Sequence, residues 1–364
     1  MLSRMRALVA PAEIAMKARQ TVRVGVSVLL VAGLTVAPAV RSAPRALVGC
    51  ARAGCPAPVP CNTRVGRCVV FPRSSRWQYQ LRGSPKPGGG CRYARTGFTN
   101  TGITGTSFAT RRTATPVVFD IDLYQDGTCY TPDNYRVLNS AAVQAIHAHG
   151  GKVIGYIDAG SAEHWRPDFP QYVSFNHSCH GCLFGKFVGG YHDENWLNIN
   201  AAPLGINPTT GRKETPRQFI LDALSARLAR ARQLRVDAIE FDNVDAYQND
   251  TGLTISAHTQ LLFDTALANL AHRKGFRVAL KNDVGQLADL KPYFDLAINE
   301  QCFEYTECND PPPGYLGWVA SGRAVFNVEY TLRASRFCPQ ANAWHVNSIV
   351  KDTNLYDTPW TPCR

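Results

Sequence analysis

Short runs of apolar residues recur along the chain at intervals long enough to hold a helix between them. Strand-like runs are read at 77–81 (WQYQL), 117–123 (VVFDIDL), 152–158 (KVIGYID), 236–242 (VDAIEFD), 276–281 (FRVALK), 294–299 (FDLAIN), 324–329 (AVFNVE) and 345–350 (HVNSIV). Helical spacing appears at 134–149, closed by Gly150 and Gly151, at 214–234 through Leu221, Leu224, Leu228 and Ala231, and at 256–274, closed by Gly275. Eight strands with helices between them predict an α/β fold, a closed (β/α)8 TIM barrel with its ligand site at the C-terminal strand ends. An open doubly wound sheet is the alternative, but no G-x-G-x-x-G follows either of the first two strands. Residues 44–75 and 82–116 show no helical period and read as loop.

The period of two within each strand then sorts side chains between the helices and the barrel axis. In VVFDIDL the apolar set Val117, Phe119, Ile121 and Leu123 leaves Asp120 and Asp122 facing the axis. In VDAIEFD, Ile239 and Phe241 leave Glu240 and Asp242 inward, with Asp242 nearer the mouth. The same rule turns Gln78, Gln80, Tyr156, Asp158, Lys281, Asn299, Asn327 and Glu329 inward. A structural barrel would fill these layers with Val, Ile and Leu, and one inward lysine cannot neutralise so many acids. The acids therefore predict a functional cleft at the barrel mouth.

Composition sets the frame around that barrel. Of 364 residues 45% are hydrophobic and 18% charged, enough for a large core. The net charge of +11 is uneven: residues 1–115 hold 18 Lys and Arg against the single acid Glu13, while the remainder is net acidic. The basic part lacks a helix-turn-helix, zinc-finger or base-stacking pattern, so a nucleic-acid partner is not expected. Residues 24–40 (VGVSVLLVAGLTVAPAV), preceded by Arg19 and Arg23 and carrying Ala37-Pro38-Ala39, read as a secretory signal rather than a membrane anchor. The predicted order is a signal peptide at 1–43, a basic Pro/Cys-rich segment at 44–71 and the barrel at 72–364.

Twelve cysteines behind such a signal predict disulfides and an extracellular location. Cys302 with Cys308 and Cys338 with Cys363 are the expected bridges, and spacing alone cannot pair Cys50, Cys55, Cys61, Cys68, Cys91 and Cys129. The cluster His177, Cys179, His180 and Cys182 offers zinc-type ligands, but a single C-x-x-C without a second pair favours a disulfided loop.

An acidic cleft with no G-x-S-x-G elbow or Cys/His arrangement argues against acyl transfer by a serine or cysteine nucleophile. Glycoside hydrolysis needs two carboxyl groups, and hard-metal catalysis needs clustered carboxylates; the strand ends offer little His or Arg to meet a phosphate, so sugar hydrolysis leads. Neither a metal nor a cofactor is required by that reading.

The runs WQYQL, FDIDLYQDG, GKVIGYIDAGSAEHWRPD, AIEFDNVDAYQNDTG, VALKND, INEQCFEYTEC and AVFNVEY resemble, in order and spacing, glycoside hydrolase family 114, the endo-α-1,4-polygalactosaminidase-like proteins. The resemblance spans about residues 72–350 and is most specific at DNVDAYQNDTG and NEQC. It implies a (β/α)8 barrel that cleaves α-1,4-linked galactosamine polymers internally, with Asp242 and Glu300 as the carboxylate pair. Asp242 is reached independently by strand alternation, whereas a regular strand through Phe294, Leu296 and Ile298 would send Glu300 toward the helices. A bulge, or a strand ending at Asn299, is needed to re-aim it.

Asp242 is thus expected as nucleophile or base and Glu300 as general acid, with Asp245 the rival of Asp242. Lys281 is placed to pair with Glu240. Asp122, Tyr156, Asp158, Trp165, Asp245, Lys281, Asn299 and Tyr330 are the expected substrate contacts, the aromatics by stacking on sugar rings and the acids by attracting cationic amino groups. The expected partner is an amino-sugar polysaccharide, met by a monomer without stable membrane insertion. The competing readings are a carbohydrate-binding surface protein on the same barrel and a metal-dependent hydrolase.

Overall fold

The computed structural model describes residues 49–50, 54–82, 84–85, 91–92, 105–125 and 137–364. The predicted signal peptide at 1–43 lies outside the described residues, as do Cys129 and the start of the helix expected at 134–149. Among the described residues no helix is long and apolar enough to cross a membrane.

Eight strands form one sheet in sequence order: β1 (Trp77–Gln80), β2 (Val118–Asp122), β3 (Lys152–Asp158), β4 (Ala238–Asp242), β5 (Arg277–Lys281), β6 (Leu296–Glu300), β7 (Val325–Glu329) and β8 (Asn347–Val350). Each is parallel to the next. The strands are buried along nearly their whole length, as in a parallel sheet jacketed by helices. β8 also pairs antiparallel with Thr361–Pro362. That C-terminal segment brings β1 and β8 together: the Trp360 indole N–H donates to the Trp77 carbonyl at 2.9 Å, and Lys351 Nζ to Gln78 Oε1 at 2.8 Å. The result is the nearly closed TIM-type barrel that the alternation predicts.

The jacket comprises α1 (Ser140–Ala148), α2 (Phe169–Ser178), α3 (Pro216–Leu234), α4 (Ala257–Arg273), α5 (Leu287–Leu290), α6 (Gly314–Ala320) and α7 (Ala334–Ala343). The two long helices carry complete start signals. Thr215 caps α3 by accepting from the Gln218 N–H, with Pro216 in its first turn, and Ser256 caps α4 by accepting from the Thr259 N–H. Between β3 and α3 the chain inserts α2 and a three-stranded sheet of Ser161–Glu163, Glu194–Leu197 and Phe184–Phe187.

The basic segment packs against the barrel. The Asn62 N–H donates to the His272 carbonyl at 2.8 Å, Tyr293 Oη to the Pro56 carbonyl at 2.7 Å, and Asn269 bonds both Val59 and Ala57. Local disulfides Cys50–Cys55 and Cys61–Cys68 brace it, and Cys179–Cys182, Cys302–Cys308 and Cys338–Cys363 are bridged elsewhere. The Cys179–Cys182 bridge occupies both thiols of the zinc-like cluster.

Register corrects the sequence-based sorting of three strands. Partners in a parallel ladder share a face, so Tyr79 lies with Asp120, and Asp242 with Asp158. Tyr79 reaches Lys281 across the barrel at 2.9 Å, which makes Trp77 and Tyr79 the inward pair of β1. Gln78 and Gln80 face away from the axis; Gln78 bonds the Asp357 carbonyl. In β6 the inward set is Leu296, Ile298 and Glu300, matched across the ladder to Phe326 and Val328 of β7. Asn299, Asn327 and Glu329 therefore point to the helix side. Asn299 donates to Tyr315 Oη of α6, while Asn327 and Glu329 accept from the Cys302 and Phe303 N–H groups and pin the chain leaving β6. The expectation failed because strands buried on both faces need not put their polar residues inside. The same register brings Glu300 to the axis with no bulge.

Candidate active site

Asp242, Lys281 and Glu300 are the last residues of β4, β5 and β6. Each is followed at once by a residue in the left-handed region: Asn243 (φ 57°), Asn282 (φ 50°) and Gln301 (φ 63°). Asn tolerates that conformation better than most residues because its short amide bonds locally. Here the amides do so: the Asn243 side chain donates to Asp158 Oδ2 at 2.7 Å, and Asn282 Oδ1 accepts from the Glu300 N–H at 3.0 Å. Backbone handedness thus ends three neighbouring strands at the same level.

Lys281 Nζ sits among four oxygens, Tyr79 Oη at 2.9 Å, Asp242 Oδ1 at 3.1 Å, Glu240 Oε1 at 3.3 Å and Glu300 Oε2 at 3.4 Å. Burial alone would depress this ammonium, yet Asp242, Glu240 and Glu300 together lift it well above its ordinary value. The lysine stays charged. The remaining oxygens of the two mouth acids meet phenols: Tyr156 Oη donates to Asp242 Oδ2 at 3.1 Å and Tyr330 Oη to Glu300 Oε1 at 2.6 Å. Burial, reinforced by those carboxylates, pushes both phenols up, so they remain donors. Asp242 and Glu300 keep 19% and 17% of their side chains exposed, whereas Glu240 has none. Only the former two face an incoming molecule.

Beneath Lys281, Glu240 is pushed up to about 7 by burial and Asp120 is raised well above its ordinary value by burial and by Glu240. Neither Asp120 oxygen meets a donor, so contact between the two carboxyls requires a shared proton. A second acid cluster lies beside Asp242. Ser161 Oγ stands 2.6 Å from Asp158 Oδ2 and 2.5 Å from Glu194 Oε1. One hydroxyl has one proton to give, so one of these carboxyls is itself protonated, in line with the upward push that burial gives both. Asp122 is held bidentately by Arg166 at 2.8 and 2.7 Å, and Arg166 also binds Glu163.

Of the residues singled out from sequence, Asp242, Glu300, Lys281, Tyr156 and Tyr330 form one connected cluster. Asp158 borders it through Asn243. Asp122 is neutralised by Arg166, Asp245 is bonded by Asn249 at 3.1 Å, and Trp165 is half-buried in the turn before α2. Asn299 stands on the opposite face of its strand. Sequence reasoning missed Tyr79, Arg166, Glu194, Asn243 and Asn282. Tyr79 was concealed by the face assignment of β1, and Glu194 belongs to an insertion whose fold no strand period announces.

The cluster depends on close backbone approach between β3 and β4. The Ala159 and Gly160 N–H groups both donate to the Asp242 carbonyl at 3.1 Å, and a Cβ on Gly160 would stand 1.7 Å from the Asn243 carbonyl oxygen. Gly160→Ala is expected to cost on the order of 3 kcal/mol by forcing the two strand ends apart. Urea unfolding would show it, and an unchanged midpoint would contradict the packing.

The raised carboxyls also set a pH dependence. Glu163, Glu240 and Glu329 are each pushed from 4.5 up to about 7, burial being the leading cause. Between those values the folded chain holds protons that the unfolded chain has released, so stability is greatest below 4.5 for these groups and is lost as pH rises toward 7. Each retained proton contributes a slope of about 1.4 kcal/mol per pH unit. Asp168 and Asp295, lowered despite burial by Arg227 and by His272 respectively, oppose this only in stronger acid. Thermal melts are expected to shift downward from pH about 5 to 7.5, with a shallower slope in Glu329→Gln; a flat profile would refute the retained protons.

Carboxylates at the ends of β4 and β6 flank the buried lysine of β5 at the mouth of an eight-stranded α/β barrel, and two such carboxyl groups are what glycoside hydrolysis requires. The model of glycoside-hydrolase family GH114 matches residues 62–364, and the chain belongs to that family. Among solved structures, that of Aspergillus fumigatus Ega3 in complex with galactosamine is similar at 24% identity and a TM-score of 0.58, over 80% of this chain and 96% of that one. The glycoside hydrolase domain of PelA from Pseudomonas aeruginosa is similar at 12% identity and a TM-score of 0.48, over 80% and 98%. No curated protein sequence matches the chain.

Proposed function

We propose that the protein is a secreted, endo-acting hydrolase of α-1,4-linked galactosamine polymer, with Asp242 as nucleophile and Glu300 as general acid. One observation supports the pairing above all: both carboxylates contact the same ammonium, at 3.1 and 3.4 Å. Their nearest oxygens are therefore no more than about 6.5 Å apart, a limit that admits the roughly 5 to 5.5 Å of retaining enzymes. Within that limit Asp242 attacks directly and a covalent glycosyl intermediate forms, with the departing sugar oxygen taking the proton of Glu300.

The ammonium of Lys281 and the Tyr156 hydroxyl orient the Asp242 carboxylate, each bonding one oxygen. Tyr330 and Asn282 do the same for Glu300, which protonates the departing sugar oxygen and later takes a proton from water. Cationic amino groups suit a mouth whose exposed charges are carboxylates, and the related Ega3 binds galactosamine. With Asp122 neutralised by Arg166, the attraction falls on Asp242 and Glu300. The five disulfides among the described residues suit an oxidising compartment and an extracellular enzyme.

The test is incubation of the purified protein with de-N-acetylated galactosamine polymer, following chain length and the anomeric configuration of new ends by NMR. Shortened chains whose new ends first appear in the α configuration support the proposal. Polymer of unchanged length overturns it.

A further inference from the structure

Among the described residues, Tyr191 is a phenol that the network around Lys281 leaves unused. Tyr191 lies in the connection between Phe184–Phe187 and Glu194–Leu197, where its N–H donates to the Val188 carbonyl at 2.8 Å. That hairpin is fixed to the strand ends on two sides. The Lys186 N–H donates to the Thr251 carbonyl at 2.7 Å, and Gly185 lies so close to that carbonyl that a Cβ would stand 2.3 Å from it. Glu194 meets Ser161 Oγ at 2.5 Å and the Asn243 amide at 3.2 Å, one residue beyond Asp242.

Tyr79, Tyr156 and Tyr330 spend their hydroxyls on Glu240, Asp242 and Glu300, but among the described residues the Tyr191 hydroxyl has no hydrogen-bond partner. Tyr191 is only part-buried, on the turn that the Val188 N–H closes onto the Glu194 carbonyl at 2.9 Å, and Glu194 in turn meets the residue after Asp242. Burial, then the charges of Glu194, Glu300 and Asp242, push this phenol up to about 12, so it keeps its proton. A neutral donor on a hairpin braced against the end of β4, lacking a partner of its own among the described residues, suits a hydroxyl oxygen of a bound sugar.

We propose that Tyr191 is a substrate-contacting residue that sets affinity, its hydroxyl donating to a sugar hydroxyl of the ring held over Asp242 and Glu300. The proposal rests on the glycosidase reading for its ligand class and adds a contact supplied by the insertion between β3 and α3. Tyr191→Phe in the full chain removes one oxygen and leaves the ring.

Kinetics on galactosamine oligomers are expected to show kcat/KM lower by about five- to tenfold, mostly through KM, with the unfolding midpoint unchanged. Calorimetric titration of the same oligomer into both proteins should show a matching loss of affinity. Equal affinity and equal KM in Tyr191→Phe would overturn the contact, as would a loss that appears only together with a lowered unfolding midpoint. A wild type that binds the oligomer but does not cleave it would overturn the hydrolase reading alone, because the titration still decides the contact.

Discussion

Asp242→Asn is expected to lower hydrolysis of the polymer by about 10⁴-fold or more, and Glu300→Gln by about 10² to 10⁴-fold, with both variants folded. The two losses differ in kind. A nucleophile is needed whatever the leaving group, whereas a general acid matters only when the departing oxygen requires a proton. On an aryl galactosaminide with an acidic phenol as leaving group, Glu300→Gln should recover most of its first step while Asp242→Asn should not. Recovery in Asp242→Asn instead would exchange the roles, and wild-type rates in both would remove the pair from the chemistry. Both variants are expected to fold, since the amides preserve shape and each residue lies at a partly exposed strand end.

Lys281→Met is expected to be the most damaging single change to stability. The side chain is 2% exposed and faces Glu240, Asp242 and Glu300 at 3.1 to 3.4 Å. Removing one member of a buried ionic group commonly costs about 3 to 5 kcal/mol because the partners are left uncompensated. Three acids would then share a space with no cation, and some must take up protons. The acid limb of the pH–activity profile should move to higher pH, and the unfolding midpoint should fall most at neutral pH and least in acid. Midpoints shifted equally at all pH values would mean that the lysine contributes packing rather than charge.

Much of this was legible from alternation alone. All eight strands were placed, because runs such as VVFDIDL and KVIGYID combine β-branched residues with sharp boundaries. The long helices α3 and α4 were equally plain, with their polar caps and periodic Leu and Ala. The shorter α2, α5, α6 and α7 were not read: α2 and α7 contain Pro170 and Pro339, and α5 has only 4 residues, too few to show a period. Which face of a strand looks inward was legible where apolar residues alternate strictly, as in β2 and β4. It failed in β1, β6 and β7, where Trp77, Ile298 and Phe326 fill the lower lumen and polar residues pin loops outside. Glu300 was reached only through family resemblance, although a lumen of aliphatic residues in β6 would have aimed it correctly.

The insertion after β3 was the least legible part. Its hairpin is set by contacts with the chain beyond β4, such as Lys186 to Thr251, that lie 65 positions away in sequence. No local period encodes them.

The left-handed stops at Asn243, Asn282 and Gln301 separate aiming from reach. Because the reactive side chains are oriented by one another's strand ends and by the turns immediately after them, exchange of loop segments that bond neither is expected to leave the reactive groups in place. Transplanting a foreign segment between positions 251 and 256, or between 309 and 313, ought to retune which polymers are gripped while leaving bond cleavage intact.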